Sequence, residues 1–414
     1  LDAAVAAEFA QRIRGAGGTV RDVNTVSRPA RRSSAGQVSK RSYVRDMDVE
    51  IAGGTVVGDP RVAWIREGWQ VDVRPHLLAG GGTFLEVMLQ TSLPAGEARR
   101  VALEGDELGR VELPAVTERT LFSTGSMPAG RVMSLVLQVG GRVAVLLVEP
   151  RVGRRPIGRH LDTTALTGAQ PGCAMVWGDD DDVRADAEAD VPRLFPPRPL
   201  IVHRKGRSTI VENLMLSVAS RLGWTVQGSW MESGRGVWML GDPSEAAPVR
   251  KELAAIEARV LRTVPVRVRV RRDGRDALAA NLLVVPGRRI CVSAGETRAY
   301  VGDWDVEVAS EGARIGDPEI HWAWGGTALN LVLDAGAEDG EWTARVTGEI
   351  VVLEDGFETI RTGSAVTGII ESPRGRAVAV DADAVLAAGR PTILKPADGV
   401  TVEIEICYSG SDPD

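Results

Sequence analysis

Asp46, Asp48 and Glu50 alternate along YVRDMDVEIA (43–52), and Asp303, Asp305 and Glu307 alternate the same way along YVGDWDVEVA (300–309). Successive side chains of a β-strand point to opposite faces, so each triplet sets three carboxylates on one side of a strand. Hard cations take several carboxylate oxygens, which makes a cation site one reading of the pattern. A solvated strand face, with Val44, Met47 or Trp304, and Val49 packed beneath or nearby, is the simpler reading, since no intervening loop that would supply further oxygens is identified. The run GDDDDVRADAEAD (178–190) lacks the glycine and terminal glutamate of an EF-hand loop. His76, His160, His203 and His321 are scattered, and none stands in a ligand spacing. Cys173, Cys291 and Cys407 are widely spaced and odd in number, which gives neither a disulfide framework nor a zinc site; each is expected to act as a small buried hydrophobe. Ser126 in TGSMPAG and Ser364 in TGSAVTG lie where strands run into turns, a setting in which hydroxyls bond backbone. No nucleophile elbow, zincin, Walker or dinucleotide motif occurs. No catalytic, cofactor-binding or metal-ligating residue is nominated, and the chain is expected not to be an enzyme and to need no cofactor.

The carboxylates therefore have to be placed by architecture. Hydrophobic residues make up 44% and charged residues 25% of the 414, as in globular proteins with real cores. A net charge of −7, from 49 basic and 56 acidic residues, argues against a nucleic-acid partner. The longest apolar runs, such as VAVLLV (143–148), are too short for a membrane-spanning helix. Residue 1 is Leu with no basic and apolar leader behind it: either a targeting segment was removed or the chain was trimmed, and the sequence carries no readable export signal.

The two acidic stretches belong to a longer repeat. Between Tyr43–Trp64 and Tyr300–Trp322 the residues Tyr, Val, Asp, Asp, Val, Glu, Ala, Gly, Asp, Pro and Trp recur with a single one-residue gap. Pro29 stands as far before Tyr43 as Pro286 does before Tyr300, with RRSSAG and RRICVSAG between. Downstream, MPAGR (127–131) is matched with SPRGR (372–376). Two copies, about 1–153 and about 273–414, are expected to superpose. WQVDVR (69–74) and VTVEIEI (400–406) alternate as half-buried strands do, and AGGGT (79–83) reads as a hairpin turn. VGDP and IGDP read as turns, because Pro fixes φ and Asp bonds its own backbone.

Between the copies, an acidic run followed by VPRLFPPRP (191–199) reads as a linker or surface loop. LIVH (200–203) reads as a strand. STIVENLMLSVASRLGW has a capping box at Thr209 and Glu212, apolar Ile210, Leu214, Val218 and Leu222, and Gly223 at its end, and so reads as a helix. TVQGSW and GVWML form a hairpin around MESGRG. PVRKELAAIEARVL (248–261) is a second helix opened by Pro. VPVRVRVR (264–271) is expected to close this unit, its valines under the helices and its arginines exposed to pair with acids. The order β-α-β-β-α-β is the split βαβ pattern. A strand face of arginines without aromatics does not suit RNA.

Several of these segments resemble the β-domain of bacterial secretins, the rings of type II and type III secretion and of type IV pili. EGWQVDVRP, a glycine turn and FLEVMLQ are similar to the secretin strands that pass through a proline. VTERTLFSTGSMPAGRVMSLVL is similar to the next strand pair, and AVLLVEPRV (144–152) to the closing strand. The middle unit resembles the small α/β N-domains stacked below a secretin barrel. Only QVGG separates SLVL from RVAVLLVEPRV, where secretins carry a long segment for the membrane-crossing and gate region. The second copy keeps strand character in EIVVLEDGFETIRTG and LKPADGVTVEIEI without the secretin wording.

The resemblance implies a mainly β chain with an α+β insert. Its parts are a secretin-like β-domain (1–156), an acidic and Pro-rich linker (157–199), an N-domain-like βαββαβ module (200–272) and a second β-domain (273–414). It implies a non-enzymatic structural protein of the bacterial cell envelope (periplasm, outer membrane or cell surface). Such a protein assembles with itself into a ring or pore-like structure, with other envelope proteins as candidate partners. Alternatives are a self-polymerising surface-layer or filament protein and a carbohydrate-binding module using Trp64, Trp69, Trp322, Trp324 and Trp342; core or interface packing of these tryptophans is the simpler expectation. The arginines of 267–271 and Glu403 and Glu405 are expected to supply opposite charges for contacts between domains or subunits.

Overall fold

The computed structural model describes residues 3–23, 32–52, 55–78, 82–102, 110–139, 142–151, 173–177, 230–233, 236–240, 251, 255, 261–308, 314–335, 341–362 and 368–407. It opens on a helix that the repeat did not foretell, α1 (Ala3–Gly15). Its alanines and long unbranched side chains are strong helix formers. Arg12 pairs with Glu8 one turn back at 2.6 Å, and Arg12 and Arg14 sit at the negative end of the helix dipole.

The rest is mainly β. The first part of the chain supplies β1 (Ser33–Ala52), β2 (Thr55–Leu77), β3 (Thr83–Pro94), β4 (Arg99–Ala102), β5 (Arg110–Leu113), β6 (Ala115–Met127), β7 (Met133–Val139) and β8 (Arg142–Val148). Three short strands follow, β9 (Cys173–Trp177), β10 (Trp230–Ser233) and β11 (Gly236–Leu240), paired in the order β10-β11-β9. The last part supplies β12 (Val264–Arg272), β13 (Arg275–Val284), β14 (Arg289–Val308), β15 (Arg314–Ala335), β16 (Glu341–Arg361), β17 (Ile369–Ala387), β18 (Thr392–Ala397) and β19 (Val400–Ile406).

These strands build two sheets packed face to face. The larger runs β1-β2-β3-β6-β14-β15-β16-β17 and the smaller β18-β19-β12-β13-β7-β8. Strands from both ends of the chain thus share each sheet. The core between them follows the period-two pattern of the sequence. Val264, Val266, Val268 and Val270 of β12 and Val400, Val402, Ile404 and Ile406 of β19 face Leu121, Ile290, Leu331, Leu333, Val346 and Ile350 of the larger sheet, all buried in one cluster. Ser123 and Thr124 of β6 stitch the sheets together. The Ser123 hydroxyl donates to the Leu283 carbonyl at 2.6 Å, and the Thr124 hydroxyl accepts the Val285 N–H at 3.2 Å.

Several expectations change here. The strand 264–272 does not lie under helices of a middle module; it pairs with β13 and β19, and its valines face the larger sheet. Its arginines meet the expected acids inside one molecule, on the neighbouring strand. Arg267 lies 3.0 Å from Glu405, and Arg269 lies 3.8 Å from Glu403. A hairpin is present here as β10 and β11, but its first strand runs through Met231–Ser233 of the expected loop rather than through TVQGSW, whose residues 225–229 lie outside the described residues; β9, from within the expected linker, joins it. The helix expected over 209–222 lies outside the described residues.

VGDP and IGDP are not turns. Gly58-Asp59-Pro60 lies within β2 and Gly316-Asp317-Pro318 within β15, where Met47 faces Pro60 and Trp304 faces Pro318. Each proline sits beside a bulge, between Val44 and Asp46 in β1 and between Val301 and Asp303 in β14. It also lies where its strand pairs on one side only, since β2 meets β3 from Gly68 onward and β15 meets β16 from Gly326 onward. A missing N–H costs little at such a place.

The pairing repeats closely between the two parts. Asp48 faces Asp59 as Asp305 faces Asp317, and in each bulge the first Asp accepts the next backbone N–H, Met47 at 2.9 Å and Trp304 at 2.8 Å. After β6 and after β17 the chain makes the same turn, with Arg131 N–H donating to the Pro128 carbonyl and Arg390 N–H to that of Ala387. Gly130 and Gly389 hold its left-handed position at φ 78° and 73°. The partner of PAGR (128–131) is therefore AAGR (387–390), not SPRGR, which lies within β17.

Candidate functional site

Because neighbouring strands of the larger sheet alternate in direction, four hairpin ends lie together at one end of it: β1–β2, β4–β5, β14–β15 and β16–β17. Three are long. Residues 39–52 with 55–67, 299–308 with 314–325, and 352–361 with 369–376 continue past the broad sheet as two-stranded arms. Small apolar clusters join them. Tyr43, Ile65 and Val116 pack together, Met47 packs with Val111, and Trp304 and Ile320 of the second arm pack against the cluster of Met47 and Val111 and against that of Leu113, Ala299 and Val301. Tyr43 meets Trp322 edge-on, with ring centroids 6.4 Å apart.

Glu371, 6% exposed on β17, ties the second arm to β4. It holds Arg99 through both carboxylate oxygens, one at 2.6 Å, and accepts the buried Val301 N–H at 3.1 Å. Nothing in the repeat marks this residue, and the contact joins segments too far apart for spacing to show it.

Two members of the first acidic triplet meet the second arm where the first arm lies on it. Asp46 and Asp48 of β1 lie near Asp317 of β15, which already faces Asp305 of β14, with Arg61 of β2 on Asp48 and 3.9 Å from Asp46. Burial, then a hydrogen bond to Asp46, then the charges of Asp46, Asp48 and Asp305 push the Asp317 carboxyl up to about 7. When protonated, Asp317 donates a hydrogen bond to Asp46, which lets these carboxyls sit together. Among the described residues no group of acids, histidines and cysteines has the arrangement of a metal site.

The stability consequence has a definite sign. The carboxyl holds its proton more tightly in the fold than in the unfolded chain, so its contribution is complete below its ordinary value of 3.8. It is lost as pH rises toward about 7 and is level above that. Unfolding midpoints in urea should therefore fall between pH 4 and pH 7, with a slope of at most about 1.4 kcal/mol per pH unit from this group. Asp317→Asn should flatten that part of the profile; an unchanged slope in the variant would remove Asp317 as its source.

Among the described residues the other candidates are not brought together into one site. The Ser126 hydroxyl donates to the Leu261 carbonyl at 2.7 Å, as its strand-to-turn setting foretold. Ser364, His160 and His203 lie outside the described residues. His76 packs against Phe84 and His321 against Tyr300, and His321 lies 3.6 Å from Glu319. Cys291 is buried, which pushes its thiol up to about 12 and leaves no thiolate for nucleophilic work; Cys407 is half-buried. A small gap between the sheets is lined by Val268, Leu282, Ile290, Leu329, Val346 and Ile404 and offers no charged side chain. Trp342 packs on the main core, whereas Trp64 is 61% and Trp322 41% exposed. No helix among the described residues is long and apolar enough to cross a membrane.

No family model, curated protein or solved structure matches this chain.

Proposed function

We propose that this chain is a non-enzymatic structural protein, a duplicated β-unit that assembles with copies of itself into a secretin-like ring in a bacterial envelope. One observation carries the self-association. The last sheet strand of the first unit, β6, pairs with the first strand of the second unit, β14, from Cys291 opposite Phe122 to Arg298 opposite Ala115. The corresponding strands at the outer ends are β17 and β1, the two ends of the larger sheet. The chain thus contains one head-to-tail junction and carries the two halves of another. A repeated head-to-tail junction closes into a ring when its rotation divides a full turn, and otherwise grows as a filament. The envelope setting and the ring form are supported by the secretin-like strands of 68–90 and 115–152.

The arginines of β12 are occupied by Glu403 and Glu405 within the chain, so they are not the surface on which subunits meet. Backbone pairing along strand edges is largely indifferent to salt, and the assembly should persist at high ionic strength. Light scattering on the native protein should give masses that are multiples of 44.1 kDa, with closed rings by electron microscopy. A mass of 44.1 kDa held across concentration would overturn self-association and favour a monomeric binding module.

A further inference from the structure

We infer that a second copy of this chain docks its β1 edge onto β17 in the register that β14 keeps on β6, with the arm β14–β15 covering Val62 and Trp64 of that copy. The inference rests on the self-association proposed above and adds the surface and the alignment.

The alignment follows from matched strand pairings. The bulges and the facing pairs Asp48–Asp59 and Asp305–Asp317 equate Tyr43 with Tyr300, and hence Val38 of β1 with Gly295 of β14. The shared turn after β6 and β17 equates Pro128 with Ala387, and hence Glu118 with Ala377. Within the chain Gly295 faces Glu118. Between two chains Val38 therefore faces Ala377. The face is consistent, because Leu121 of β6 and Val380 of β17 both point into the core, and Val38 and Ala377 both lie exposed.

A second, independent observation is the pattern of exposed apolar side chains. At the internal junction the first arm lies on the second. Ile320 is packed against the cluster of Met47 and Val111, and Trp322 meets the ring of Tyr43. The matching residues of the first arm are Val62 and Trp64, and these stand 52% and 61% exposed. Solvent-exposed valine and tryptophan side by side on a strand mark a surface that another surface covers. The partner that fits is the one already seen at the internal junction, an arm of the same kind. By the same matching, Tyr300 of one molecule takes toward Trp64 of the next the place that Tyr43 takes toward Trp322.

The test uses the full chain in two single-cysteine additions, Val38→Cys and Ala377→Cys, mixed and oxidised mildly. Directly opposed strand positions lie within disulfide reach, and positions two residues out of register lie beyond it. The mixture should give a cross-linked dimer, absent from either variant alone and abolished by reductant. The same experiment with Val38→Cys and Ala379→Cys should give little. Light scattering of the unsubstituted chain runs beside it. Preferential cross-linking of the 38/379 pair, or no cross-link from material that still assembles, overturns the register and leaves self-association standing. A chain that does not assemble at all overturns both.

Discussion

Leu333→Ala should destabilise the protein by about 2–5 kcal/mol, the range for a leucine removed from a closed core. Leu333 is fully buried on β15, at the level where the two sheets meet. The loss combines the transfer energy of the missing methyl groups with the cavity they leave, and paired strands on both sides resist collapse into it. Leu333→Ile, which keeps the volume, should cost less than about 1.5 kcal/mol. Urea unfolding read by tryptophan fluorescence measures both. A loss below about 1 kcal/mol for the alanine variant would mean that this face of β15 is not packed between the sheets.

Glu371→Ala should cost about 2–4 kcal/mol, for a different reason. Removing one partner of a buried, hydrogen-bonded charge pair costs far more than an exposed pair is worth, because the remaining polar groups stay behind unpaired. Here the group left behind in the interior is the Val301 N–H; Arg99 is half exposed and recovers water. Glu371→Gln keeps an oxygen for that N–H and should recover part of the loss, whereas Arg99→Ala should cost less than Glu371→Ala. If Arg99→Ala proved the more damaging, the ion pair rather than the backbone acceptor would be what matters.

The sequence carried strand character well and strand partnership poorly. Alternation along VPVRVRVR and VTVEIEI marked which side chains are buried, because period two is a local property; along WQVDVR it did not, since Gln70 and Asp72 are the buried residues and Val71 and Val73 are half-buried against the core. Which strand lies beside which is not local. The valine strand was given to a middle module because it follows that module in the chain, while its neighbours β13 and β19 are fixed by what the larger sheet needs covered. The GDP motifs were misread because proline and aspartate suit turns far more often than strands, and only the bulge opposite explains their presence in one. The repeated aspartates were visible from the start. That one of them is pushed up by its surroundings was not, since Asp317 becomes half-buried beside Asp46 only when the first arm lies on the second, and its counterpart Asp59 stays exposed. Glu371 and Arg99 had no signal at all: a single acid and a single arginine among many, joined across the fold.

The pairing of β6 with β14 also sets a timetable for synthesis. Residues 115–122 leave the ribosome long before residues 291–298, their only neighbours on that side. At roughly 5–20 residues per second the intervening chain takes on the order of ten to thirty seconds to appear. Throughout that interval the nascent first half presents an open strand edge, and any other half-made chain on the same messenger presents the same one. Such an edge pairs with whatever strand arrives first. A junction between strands so far apart in the chain therefore makes order of arrival matter: the protein reaches its fold by having its own second half close at hand before a neighbour's, which places the hazard of misassembly on crowded polysomes rather than on the finished molecule.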